Sequence, residues 1–227
     1  MGSLSLGRAD RLLWLGRYIE RAFTTERFIV STYDKALDST EGNWKGQLEE
    51  LGFDEKTDDP IEFFHDCLFD VENPASLAHS IGAAYDNAVH LRDILGTETV
   101  SYVQMAYDSL YAAEGGKEPL LDLQTTIDNI MAFRGCVDDY VSDGAARNII
   151  KSGISLERID LYARLGYKLE ALPYEVHLLA VRSSRSGMPF DNQRLKAVVD
   201  LVYSPGFPDG VTYEQLGELL VNLAHIY

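Results

Sequence analysis

At 227 residues, 46% hydrophobic and 25% charged, the chain has the composition of a folded globular protein long enough to bury a core without disulfides or metals. Its formal charge of −16 excludes nucleic acid and anionic membrane surfaces as partners, because both attract basic faces. Cys67 and Cys136 stand far apart outside any CxxC pattern, which reads as reduced thiols of a cytoplasmic protein. No secretory apolar segment follows Met1, and no apolar run approaches the roughly 18 residues of a membrane span.

Helix-period spacing recurs along almost the whole chain, and no stretch alternates with period two over a strand's length. The first helix is expected over about Leu6 to Leu37. An acidic loop of about residues 38–59 follows, with a short helix expected around Gln47 to Leu51. From Asp38 to Glu72 twelve acids face only Lys45 and Lys56, a pattern that reads as a solvated surface. "DDPIEFFHDCLF" places Asp59 at an N-cap and Pro60 at the first helical position, and "ENPASLAHSIGAAYDNAVHLRDIL" is expected to do the same with Asn73 and Pro74. Further helices are expected near 60–71, 75–95, 98–113, 119–142, 145–165, 168–184, 191–203 and 212–226. Thr212 and Gln215 form a capping box ahead of the last. With no linker-like tract, the chain reads as a single all-α domain over 1–227, a multi-helix bundle.

Thirteen arginines stand against seven lysines, a ratio that suits paired, partly buried guanidinium groups better than solubilising charge. Their placement shows a repeat. "GRYIERAFTTER" (16–27) and "GISLERIDLYAR" (153–164) share Gly-x-x-x-Glu-Arg-x-x-x-x-x-Arg, matching Gly16 with Gly153, Glu20 with Glu157, Arg21 with Arg158 and Arg27 with Arg164. The core is therefore expected to be pseudo-duplicated. On the first helix Arg17, Glu20, Arg21 and Thr24 line one stripe at i, i+3, i+4 and i+7, flanked by Leu12, Leu15, Ile19 and Phe23 on one side and Trp14 and Tyr18 on the other. On the second, Glu157, Asp160 and Arg164 follow the same rule. Each glycine lies one turn before its Glu, where a missing Cβ admits a neighbouring backbone or ligand.

Two readings of the cluster stay open. The arginines and glutamates can form a buried ion-pair network that fixes helix register. Alternatively, Arg17, Glu20, Arg21, Arg27, Glu157, Arg158 and Arg164 can line a polar pocket for a carboxylate, peptide or phosphate group.

"SLGRADRLLWLGRYIERAFTTER" resembles the opening of the Alpha-E family, a bacterial helical domain of unknown function named for its Glu-Arg motif. Arg8-Ala9, Trp14-Leu15-Gly16-Arg17-Tyr18, Glu20-Arg21-Ala22 and Arg27 carry the likeness, with Leu13 where Tyr is usual. "YDNAVHLRDILGTETV" is similar to a middle family segment at Asn87, Ala88, Arg92, Asp93, Leu95 and Glu98, which makes Asn87, Arg92 and Glu98 secondary candidates. "FRGCVDDYVSDGAARNIIKSGISLERIDLYARL" resembles the second motif region. The resemblance implies a partner or accessory of an ATP-grasp-type amide ligase or a transglutaminase-like protein in a peptide-modifying system. Two alternatives are an enzyme using the Glu-Arg cluster itself and a purely structural scaffold. A homodimer is compatible with so much apolar helix surface.

Other chemistry finds little support. A di-iron bundle needs two Glu-x-x-His pairs, and only Glu62 to His65 fits, so no metal or cofactor is expected. His65, His79, His90, His177 and His225 show no zinc spacing, and no phosphate-binding glycine loop or serine elbow occurs. "RSSRSGMPF", with Arg182 and Arg185, reads either as an anion-binding loop or as arginines complementing a helix C-terminus.

Overall fold

The computed structural model describes residues 4–38, 44–53, 59–116, 119–209, 213–221 and 223–224. In chain order its helices are α1 (Leu6–Asp38), α2 (Trp44–Glu49), α3 (Pro60–Phe69), α4 (Leu77–His90), α5 (Arg92–Leu95) and α6 (Thr97–Glu114). They continue with α7 (Pro119–Asp122), α8 (Gln124–Asp139), α9 (Gly144–Arg164), α10 (Leu172–Ser186), α11 (Asn192–Val202) and α12 (Tyr213–Leu220). A 3-10 turn at Leu169–Ala171 leads into α10. The fold is all-α, as the periodicity requires. The described residues contain no strand, only one isolated antiparallel bridge between Phe190 and Ala224.

The chain falls into two compact units. The first joins Met1–Glu20 to Ser142–Tyr227, so it holds the opening turns of α1 together with α9 to α12. Its core gathers Leu156 and Ile159 from α9, Leu172, Val176 and Leu179 from α10, and Val198 from α11, with Leu216 and Leu220 of α12 packed on them. The second unit, Arg21–Val141, holds the rest of α1 and α2 to α8. Phe133, Leu77, Ile81 and Leu110 are completely or almost completely enclosed there.

Helix boundaries follow local chemistry. Asp59 caps α3 by accepting from the Ile61 N–H at 2.9 Å, with Pro60 in the first turn. The start expected at Asn73-Pro74 is not where α4 begins. Asn73 Oδ1 accepts from the Ala75 N–H at 2.9 Å and closes a turn, and Ser76 then caps the helix through the His79 N–H at 3.0 Å. Asn73 is spent on the turn at Ala75, and Ser76, three residues later, supplies the cap. The helix expected over 75–95 breaks at Leu91, a completely enclosed side chain, into α4 and α5.

The end of α9 is a Schellman closure. Gly166 takes a positive φ of 57°, the Tyr167 N–H reaches the Tyr162 carbonyl at 3.0 Å, and the two tyrosine rings meet edge-on at 5.4 Å. Part of the acidic loop and Thr212 of the expected capping box lie outside the described residues.

Candidate functional site: a reciprocal glutamate–arginine crossing

The first unit is built on a close crossing of α1 and α9. A Cβ placed on Gly16 would run into the Ile150 carbonyl oxygen and come within 3.1 Å of the Ile154 nitrogen. A Cβ on Gly153 would meet the Leu13 carbonyl oxygen and lie 3.1 Å from the Arg17 nitrogen. The contacts are reciprocal, each glycine meeting the residues three before and one after the other. Only hydrogens fit between the two backbones, in positions that favour Cα–H···O contacts.

One turn beyond each glycine, the motif glutamates cross over. Glu20, with no exposed surface, accepts from Arg158 Nε at 2.8 Å and Nη2 at 2.7 Å. Glu157, 1% exposed, accepts from Arg17 Nε at 2.6 Å. Each carboxylate is thus held by an arginine of the opposite helix. The symmetry is incomplete, because the residue after Gly16 is Arg17 whereas the residue after Gly153 is Ile154.

Arg158 has a third bond, Nη1 to Glu175 Oε1 at 2.8 Å, which ties α10 into the same network. Burial opposes the Arg158 charge, but hydrogen bonding and attraction from Glu20 and then Glu175 outweigh it, so its pKa is raised further above the ordinary arginine value. Glu175 is itself buried, and its Oε2 has no hydrogen-bond partner among the described residues. Sequence reasoning missed Glu175. Its signal was its register, three after Leu172 and four before Leu179 on an apolar stripe.

Arg17 leaves the crossing toward solvent. Its guanidinium lies 4.5 Å over the Trp14 ring, which packs on Tyr18 at 5.3 Å. Beyond it opens a cleft of about 510 Å³ lined by Arg17, Leu156, Asp160 and Arg164 on one side and by α12 residues including Tyr213, Glu214, Gly217 and Glu218 on the other. Arg164 bonds Asp160 at 2.5 Å and lies 5.6 Å from the Tyr213 ring. Burial works against its charge, and Asp160 followed by Tyr213 more than restores it. Arg182 lies within α10 and donates to Ser155 Oγ at 2.6 Å and to the Lys151 carbonyl at 3.3 Å, back onto α9.

The other candidates lie in the second unit. Arg21 is half-buried, and Arg27 is exposed with its guanidinium 5.1 Å from the Phe23 ring. Asn87 is half-buried on α4, and Arg92 and Glu98 are exposed at the starts of α5 and α6. Sequence reasoning also missed Glu26. It is only 6% exposed, and burial pushes its carboxyl up to about 7 against the opposing pull of Arg27. Cys67 and Cys136 are both free and buried, with burial raising each thiol. No helix among the described residues is long and apolar enough to cross a membrane, and no His, Cys, Asp and Glu side chains among them gather as a metal-binding group.

No curated protein and no solved structure matches the chain. The Alpha-E family model, described as a predicted alpha-helical domain with a conserved ER motif, matches residues 7–224. That match spans nearly the whole chain, and the chain belongs to the Alpha-E family.

Proposed function

We propose that this chain is a non-catalytic partner or accessory of an ATP-grasp-type amide ligase or a transglutaminase-like protein in a peptide-modifying system. One observation carries the non-catalytic part. Glu20 and Glu157 are 0% and 1% exposed and each is already held by an arginine. A general acid or base must reach substrate, and these carboxylates are committed to holding helices together. The partner class comes from the family resemblance. The reading is tested by mixing the purified chain with ATP-grasp-type and transglutaminase-like proteins of the same genome, measuring complex mass by light scattering and ATP turnover with and without the chain. A complex, or a changed turnover, is expected. Separate elution and unchanged turnover with both classes would end the reading.

A second reading, ligand binding by the arginine cluster, is favoured by Arg17 and Arg164, which both line the cleft of the first unit. Soaking with phosphate, acetate or ATP and locating bound density tests it directly.

A further inference from the structure

We infer that the cleft between α9 and α12 takes a zwitterion of the amino-acid type, bearing both an ammonium and a carboxylate group, rather than a simple anion. This deepens the ligand-binding reading of the same cleft and is independent of the partner role. The charges on its walls carry the argument. Arg17 and Arg164 supply guanidinium groups on the α1/α9 side, and Glu214 and Glu218 supply exposed carboxylates on the α12 side.

The arginines are not surplus charge. Arg17 is matched by Glu157 and Arg164 by Asp160. Glu214 and Glu218 carry no side-chain ion pair among the described residues, so they set the residual sign of the cleft. A lone phosphate or carboxylate entering here would meet matched arginines and unmatched acids. An ammonium group answers those acids.

Donors for a carboxylate remain on the opposite wall. Arg164 Nε is buried without a hydrogen-bond partner among the described residues, and a buried donor in that state gains from any acceptor that reaches it. Leu156, Leu220 and the ring of Tyr213 give the walls apolar area for a short side chain. Gly217 has no side chain to fill the space beside that ring, where an added Cβ would touch it at 3.4 Å. A volume of about 510 Å³ falls in the range of about 300–1,000 Å³ usual for small-molecule sites.

Ligand-observed NMR titrations of the full chain test this with the twenty L-amino acids, their N-acetyl and C-amide derivatives, acetate and inorganic phosphate. At least one free amino acid should bind, its N-acetyl and amide forms at least tenfold more weakly, and phosphate and acetate no better than the amide. The exposed double variant E214Q/E218Q should keep the wild-type melting curve and lose at least tenfold in affinity for the free amino acid. Phosphate or acetate binding as well as any amino acid would leave the ligand-binding reading intact and overturn the zwitterion. Equal binding of the N-acetyl form, an unaffected double variant, or no binding by any probe would overturn it as well.

Discussion

Arg158 meets Glu20 side-on, Nε to one carboxylate oxygen at 2.8 Å and Nη2 to the other at 2.7 Å, while Nη1 turns to Glu175. One guanidinium therefore joins three helices, which only its fork of donors can do. Arg158→Met withdraws the guanidinium from two buried carboxylates and should cost roughly 3–5 kcal/mol, as for a broken buried pair. Arg158→Lys keeps the charge but reaches fewer oxygens, so it should fall between wild type and Met. Glu20→Gln leaves Arg158 with Glu175 and should cost less than Arg158→Met. Denaturant midpoints of the four proteins check the order, and equal midpoints would dissolve the network's structural role.

The glycine crossing separates tolerated from forbidden methyl groups. Gly16→Ala and Gly153→Ala drive a Cβ into a carbonyl of the facing helix, where no rotamer change helps, so each should cost about 2 kcal/mol or more. A Cβ added at Gly135 on α8 meets nothing within 4 Å among the described residues, and Gly135→Ala should stabilise by up to about 1 kcal/mol through helix propensity and the unfolded state. Thermal melting of the three variants reads opposite signs, at about 2–4 °C per kcal/mol for a chain of this size.

Glu26 makes stability depend on pH in a direction opposite to most carboxylates. Its folded pKa, about 7, lies above the ordinary glutamate value of 4.5. Between those values the folded state holds a proton that the unfolded state has lost, so stability falls as pH rises from about 4.5 to about 7 and then levels off. The full drop is roughly 3 kcal/mol. Glu26→Gln, which mimics the protonated group, should remove this component of the slope and raise stability at pH 8. Urea midpoints of both proteins at pH 5 and pH 8 decide it, and parallel pH curves would refute it.

Ser76 and Asn73 divide the start of α4 between them. Ser76→Ala removes the cap on the His79 N–H and should cost about 1 kcal/mol. Asn73→Ala loses only the turn bond to Ala75 and should cost less. Denaturant midpoints rank the two, and a larger loss at Asn73 would restore it as the cap.

The helices were legible because apolar spacing and caps are local signals, and Asp59-Pro60 shows both working as written. Asn73-Pro74 shows the limit, since a Pro and a polar residue describe a turn as well as a helix start. The repeat exposed Gly16, Gly153, Glu20 and Arg158 as related positions, because a duplicated pattern needs no knowledge of three dimensions. It could not expose Glu175, which lies in no repeat and whose partner is 17 residues away on another helix. The cleft was illegible for a similar reason. Asp160 and Arg164 were visible as a helical pair, but Glu214 and Glu218 join them only through the packing of α12.

The first unit is made of two stretches of chain with the whole of Arg21–Val141 interposed between them. On a ribosome adding about 5–20 residues per second, Gly16 and Glu20 wait on the order of ten seconds before α9 exists to meet them. The glycines and the glutamate cannot engage earlier, because their counterparts have not been made. The opening turns of α1 are thus made long before the helix they cross, and that interval is when this protein most needs a chaperone's shelter.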